Sequence, residues 1–253
     1  MKLFIDAGNT RTKWAIYNQL GELIDQGVVP NEIIRSTNLR QLWAGCTKSV
    51  ISCVASEEIA NAIKGELESL KLKSFWLSSR PEACGVKNSY HNPSQLGMDR
   101  WAGAIAGWHQ FYSPCVVVSL GTAVTIDAVA LDTKSGQPEF IGGLIIPGIQ
   151  LMKNCLLNQT AKIRFSSGNY EEFPKNTGDA VHSGAILSIA GAINTMVCNL
   201  SGLTTAFPVC MVTGGDAHLL DKVLKKMINT ENQLFFFDDL VIRGLILMER
   251  ECS

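Results

Sequence analysis

The sequence predicts an α/β fold built as two related lobes with a cleft between them. Three observations carry that prediction. The chain opens on an apolar strand, a tight Gly turn and a second strand, "KLFIDAGNTRTKWAIY". Apolar strands then alternate with amphipathic helices. The opening scheme returns in "CVVVSLGTAVTIDAVAL": setting Gly8 on Gly121 aligns "FIDAGNTRTKWA" with "VVSLGTAVTIDA", with Ser119 opposite Asp6 and Ala123 opposite Thr10. The lobes are expected to span residues 1–112 and 113–253, meeting near 109–115.

From Lys2 the pattern is strand, Gly-Asn turn, a second strand around Trp14 to Tyr17, then another turn and strand in "LGELIDQGVV", which makes a meander rather than a βαβ unit. The strand "SVISCVA" leads into a helix, where Ile59, Ala62, Ile63, Leu67 and Leu70 fall at helical spacing after Ser56 and two glutamates. A second helix is expected from Met98 to Gln110. The second half continues with the Gly-rich strand-turn element "EFIGGLIIPGI" and a long helix from Gly178 to Leu200, whose Gly184, Ala185, Gly191 and Ala192 permit close helix approach, in the core or across a dimer. Last come the strand "VCMVTGG", the helix "DAHLLDKVLKKMI", the strand "LFFF" and the helix "DLVIRGLILMER".

With 46% hydrophobic and 18% charged residues, the 253-residue chain has the composition of a globular protein with a sizeable core. Its net charge is -1, and no Lys/Arg block interleaves with aromatics, so no nucleic acid partner is expected. The eight cysteines (46, 53, 84, 115, 155, 198, 210 and 252) include no CxxC pair and read as reduced core residues. The histidines show no metal-binding spacing. No secretory signal is visible and the apolar stretches are interrupted short of a membrane span, so the protein is placed in the cytoplasm, away from membranes.

Gly turns follow apolar strands at Gly8, Gly121 and Gly214-Gly215. Glycine lets a ligand approach the backbone, and turn N–H groups form anion-binding concavities, so three such turns suggest a nucleotide's phosphates. No glycine precedes a lysine, which rules out a Walker A loop, and no GxGxxG follows a strand. Asp6 ends an apolar run that gains nothing from a carboxylate, so it reads as a holder of Mg²⁺, through water, with Asn9, Thr10 and Thr12 as polar contacts and Lys13 as a nearby positive charge. An Asx-turn is the alternative use of Asp6. Asp99 in "QLGMDRWAGAIAGWHQF" stands at a helix start, where it either caps the helix or accepts a proton from a substrate hydroxyl; Arg100 suits a carboxylate or phosphate. Trp101 and Trp108 read as core, Asp127 as structural, Thr122 as a phosphate contact beside Thr125, and Asn176, Thr177 and Asp179 as cap candidates.

Taken together, "DAGNTRTK" at 6–13, "GMDR" at 97–100, "GTAVT" at 121–125, "GGLIIPG" at 142–148, "NTGDAVHSG" at 176–184 and "TGG" at 213–215 resemble the type III pantothenate kinase family over nearly the full length. The resemblance implies duplicated ribonuclease-H-like lobes of the actin, sugar kinase and heat-shock chaperone superfamily. It implies ATP-dependent phosphorylation of pantothenate at its primary hydroxyl to 4'-phosphopantothenate, the first step of coenzyme A synthesis. Carried over, Asp6, Ala7, Gly8, Asn9, Thr10, Arg11, Thr12 and Lys13 form the ATP phosphate loop with Asp6 near Mg²⁺, and Thr122 contacts phosphate. Asp99 is the proton acceptor. Tyr90, Gly97, Met98, Asp99 and Arg100 line the pantothenate pocket, with Thr177 reaching it across a homodimer interface. Many members read Asp-x-Gly-Thr-Ala at the second turn, where the Asp helps hold a monovalent cation, K⁺ or NH₄⁺; here the position is Ser119, so either a weaker cation dependence or a cation held by other oxygens is expected. The competing readings are a regulatory factor of the same family and a kinase of the same fold acting on another small hydroxylated substrate.

Overall fold

The computed structural model describes residues 1–160, 162–228 and 233–251. It divides into two compact units, Met1–Ala106 with Asp239–Ser253, and Gly107–Asp238.

In the first unit, β1 (Lys2–Ala7), β2 (Arg11–Tyr17) and β3 (Leu23–Pro30) form the expected antiparallel meander. A one-turn helix α1 (Leu39–Leu42) precedes β4 (Lys48–Cys53), which pairs parallel to β1. Helix α2 (Glu57–Ser69) leads to β5 (Lys73–Trp76), parallel to β4, and the sheet order is β3-β2-β1-β4-β5. A small hairpin, β6 (Glu82–Ala83) and β7 (Val86–Asn88), comes before α3 (Met98–Phe111).

Strand alternation sorts β1 into two faces. Leu3, Ile5 and Ala7 join a core with Trp14, Ile16, Ile51 and the apolar stripe Ile59, Ile63 and Leu67 of α2. Lys2, Phe4 and Asp6 lie on the other face, which the last helix, α7 (Leu240–Glu251), covers.

That helix was expected with the second lobe but belongs to the first unit, for two physical reasons. Gly244 admits the backbone of α3 so closely that a Cβ there would lie 2.0 Å from the Ala102 carbonyl oxygen. Glu249, almost fully buried, accepts ion-pair hydrogen bonds from Lys2 at 2.8 Å and Lys48 at 2.5 Å, tying α7 to β1 and β4.

The second unit repeats the topology. Strands β8 (Cys115–Leu120), β9 (Ala123–Leu131) and β10 (Pro138–Pro147) form an antiparallel meander. Strand β11 (Val209–Thr213) pairs parallel to β8, and β12 (Leu234–Phe237) parallel to β11, giving β10-β9-β8-β11-β12. Helices α4 (Ile149–Gln159) and α5 (Thr177–Ser201) connect β10 to β11, and α6 (Ala217–Met227) connects β11 to β12. The repeat read from a dozen residues thus extends to five strands in each unit.

Ile186, Ile189, Ala190, Ile193 and Val197 of α5 share a core with Val116, Val118, Val124 and Ile126 of the sheet. By length and composition, α5 is long and apolar enough to cross a membrane, although the sequence suggested that every apolar stretch was too short; in the fold its buried stripe packs on β8 and β9. Trp101 and Trp108 are core residues, as expected. The cysteine expectation needs correction: Cys46, Cys115 and Cys210 are buried, Cys53 and Cys84 half-buried, and Cys155 and Cys198 exposed, while Cys252 lies outside the described residues.

Candidate active site

The eight residues 6–13, which the resemblance assigns to an ATP phosphate loop, are mostly strand. Asp6 and Ala7 belong to β1, and Arg11, Thr12 and Lys13 to β2, in the register Asp6 to Lys13 and Ala7 to Thr12. Only Gly8, Asn9 and Thr10 form the turn, closed by a hydrogen bond from the Gly8 N–H to the Arg11 carbonyl at 3.1 Å. Asn9, Thr10 and Arg11 are exposed. Thr12 is buried, and its hydroxyl donates to Asn31 Oδ1 at 2.9 Å, so the side chain is committed to the interior rather than offered to a ligand. The period-2 alternation back from Ile16 and Trp14 already places Thr12 on the core face.

Asp6 sits one residue before the end of β1 with Lys13 beside it on β2 and Ser52 beside it on β4. Its Oδ1 is shut off from solvent and, like the buried hydroxyl of Ser52, has no hydrogen-bond partner among the described residues, although Asp6 as a whole is only half-buried. Burial, with the charge of Asp99 adding and that of Lys13 opposing, pushes Asp6 up to about 7 from its ordinary 3.8.

Asp99 lies in the first turn of α3, where its Oδ1 accepts the Arg100 N–H at 2.9 Å. Burial raises its pKa, opposed by that hydrogen bond and by the Arg100 charge. Gly97 leaves room for the Asp99 carboxylate: a Cβ there would lie 2.6 Å from Asp99 Oδ1, and the carboxylate would have to shift. Met98 is buried and serves the core.

Arg100 is also buried, and its Nη1 donates to the Tyr90 hydroxyl at 2.8 Å with the guanidinium 5.7 Å from the ring centroid. Tyr90 is in turn held by Asn88, whose Oδ1 accepts the Tyr90 N–H at 3.1 Å while its Nδ2 donates to the carbonyls of Arg80 and Pro93, both at 3.3 Å. The structure therefore brings Asp6, Lys13 and Asp99 into electrostatic reach, and couples Arg100 to Tyr90 directly. Asn31, Ser52 and Asn88 were not singled out in the sequence: Asn31 bonds to residues 22 and 23 positions away, Ser52 meets Asp6 only through strand pairing, and Asn88 acts on Tyr90 two residues on, a local Asx contact that the sequence reading missed.

In the second unit, Ser119 is one residue before the end of β8, as Asp6 is in β1. Thr122 is exposed in the turn, and its carbonyl accepts the Gly148 N–H at 2.9 Å. Asp127 is buried within β9, in keeping with a structural role. Asn176 caps α5 by accepting the Asp179 N–H at 2.9 Å. Thr177, the first residue of α5, is exposed and borders a 710 Å³ cavity that Met152, Leu156 and Ile163 also line.

Among the described residues, no group of three or more His, Cys, Asp or Glu side chains could hold a metal. Asp6, with its unpartnered buried oxygen, instead fits a cation that brings most of its oxygen ligands with it, as Mg²⁺ on a phosphate chain does.

A model of the type III pantothenate kinase family matches residues 2–199. A type III pantothenate kinase from Methylobacillus flagellatus is 39% identical over 249 residues, covering 98% of this chain and 97% of the relative. Among solved structures, a Campylobacter jejuni protein described as a Baf family transcriptional activator superposes with a TM-score of 0.62 at 20% identity, over 99% of this chain and 98% of that one. A Sinorhizobium meliloti protein described as a 2-dehydro-3-deoxygalactonokinase gives 0.61 at 14% identity, over 100% and 99%. At these identities the two structures speak for the shared fold alone.

Proposed function

The chain belongs to the type III pantothenate kinase family, and from that premise we propose that it phosphorylates the primary hydroxyl of pantothenate with ATP, using Asp99 as the proton acceptor. Membership makes it a pantothenate kinase of coenzyme A biosynthesis; the nucleotide, the base and the remaining roles are our reading. The observation that supports it is the pair of Asp6, near the end of β1 with one oxygen buried and unpartnered, and Asp99, in the first turn of α3; burial chiefly, with the Asp99 charge adding, raises the pKa of Asp6.

The reaction forms a bond between the pantothenate oxygen and the γ-phosphorus and breaks the bond from that phosphorus to the β–γ bridging oxygen. The hydroxyl proton passes to Asp99. A loose transition state asks mainly for positioning and charge neutralisation, so a weak base that takes the proton late suffices. Mg²⁺, when bound, would neutralise charge on the phosphates; Asp6 would hold it, through water. Lys13 adds positive charge, the Gly8 turn and Thr122 meet the phosphates, and Arg100, aligned by Tyr90, binds the pantothenate carboxylate. Thr177 reaches the substrate from the partner protomer of a homodimer, and the enzyme works in the cytoplasm.

Ser119 stands where many members carry an aspartate, and a hydroxyl brings no charge to a monovalent cation. Equal rates in K⁺ and Na⁺ buffers are expected, and a steep loss in Na⁺ would contradict this. The reading as a whole is tested by ADP release from MgATP with and without pantothenate. Release that depends on pantothenate supports it. Release without such dependence moves the assignment to another hydroxylated substrate, and no release at all favours the regulatory reading.

A further inference from the structure

We infer that Asn31 is the positioning residue of the Gly8 turn, holding its backbone in the one orientation that presents successive N–H groups to a phosphate chain. The inference rests on the reading of that turn as a nucleotide site.

Asn31 follows β3 and lies 21 to 23 residues from the turn in sequence, yet four hydrogen bonds join it to Gly8, Asn9, Thr10 and Thr12. Its Nδ2 donates to the Gly8 carbonyl at 2.8 Å and to the Asn9 carbonyl at 3.1 Å. Its Oδ1 accepts from the Thr12 hydroxyl at 2.9 Å, and its backbone N–H donates to the Thr10 carbonyl at 2.9 Å. Two carbonyl acceptors require the NH₂ side of the amide, which fixes the orientation of the carboxamide chemically. The residue is 9% exposed and Thr12 is 1% exposed, so water competes little for these bonds.

The consequence follows from peptide planarity. In a trans peptide the C=O and N–H of one unit point in opposite directions. Drawing the Gly8 and Asn9 carbonyls toward Asn31 therefore turns the N–H groups of Asn9 and Thr10 to the opposite side of the turn. Neighbouring N–H groups on one side make an anion-binding concavity. Without the carboxamide, either peptide could flip and present a carbonyl oxygen, which repels phosphate. Other residues of matching size fail for a stated reason: Asp offers no donor for the two carbonyls, and Leu offers neither donor nor acceptor.

The test compares wild type with Asn31→Ala by calorimetric titration of MgADP, by the KM for pantothenate and by thermal unfolding. The inference predicts a cooperative melt, a Kd for MgADP raised tenfold or more, and a KM for pantothenate within twofold of wild type. A purely structural Asn31 would lower Tm and leave the Kd unchanged, which would overturn the inference. If the variant does not fold, the ¹⁵N-labelled wild type decides the matter: MgADP should shift the Asn9 and Thr10 amide resonances, and no shift at either refutes the inference. Wild type that binds no MgADP would remove the nucleotide reading itself, and the inference with it; that outcome is distinct from tight wild-type binding left intact in the variant.

Discussion

Asp6 on β1 stands in register with Lys13 on β2, yet the burial of one carboxylate oxygen outweighs the lysine's attraction and raises the Asp6 pKa to about 7. A strand end that strands a charge in this way is less stable than one without it, and the cost is offset only when a cation arrives.

The first prediction concerns that cost. Between the ordinary value of 3.8 and about 7, the folded protein holds a proton on Asp6 that the unfolded chain has lost. Stability from this group is therefore fully present below the unfolded value and falls as pH rises through the folded one. Without Mg²⁺, Asp6→Asn should melt at the same temperature as wild type near pH 4. At pH 8 it should melt higher, by at least about 1 kcal/mol or ~2–4 °C for a chain of this size. Scanning calorimetry at the two pH values checks this; a lower Tm for the variant at pH 8 would show Asp6 to be well compensated without a cation.

Arg100 and Tyr90 supply the second. Loss of the Tyr90 hydroxyl removes one hydrogen bond to a charged group, worth about 1.5–3 kcal/mol, so Tyr90→Phe should raise the KM for pantothenate by roughly tenfold or more and leave the KM for ATP unchanged. Arg100→Lys should do at least as much, because a point charge does not reproduce the planar fork that is stacked near Tyr90 and bonded to it. Steady-state kinetics with each substrate varied in turn separates the effects, and a change confined to ATP would reassign the pair.

The third concerns the fold. Gly244→Ala would place a methyl 2.0 Å from the Ala102 carbonyl oxygen, a backbone atom that cannot step aside as a side chain would. Forcing α7 away from α3 should cost about 1–3 kcal/mol, seen as a lower midpoint in urea. An unchanged midpoint would mean that the two helices separate without loss.

Much of this site was legible because its signals are local. An apolar run ending in Asp6, a Gly-Asn turn and an aspartate at a helix start are features of a few adjacent residues, and the structure keeps Asp6, Gly8 and Asp99 at those places. The repeat was visible for the same reason, since "IDAGNT" and "VSLGTA" are each contiguous. What was illegible depends on partners far along the chain. Asn31 follows Pro30 and reads as an ordinary turn residue until the fold sets it under the Gly8 turn, and Ser52 is equally silent until β4 pairs with β1. The place of α7 in the first unit rests on Gly244 and on Glu249 with its two lysines, none of which forms a motif. Thr12 was misjudged although its strand alternation was present, because a Thr in a polar loop and a Thr at a strand start look alike until the first hydrogen-bonded residue is known.

In the proposed reaction Asp99 takes the proton from the substrate hydroxyl. The most direct measurement is pantothenate-dependent ADP release by wild type and Asp99→Asn under saturating MgATP, with MgADP binding measured on both. General base catalysis is worth about 10²–10⁴-fold, so kcat should fall by at least two orders of magnitude while the MgADP affinity stays within a few-fold. A variant that binds MgADP normally and turns over at near wild-type rate would contradict the assignment.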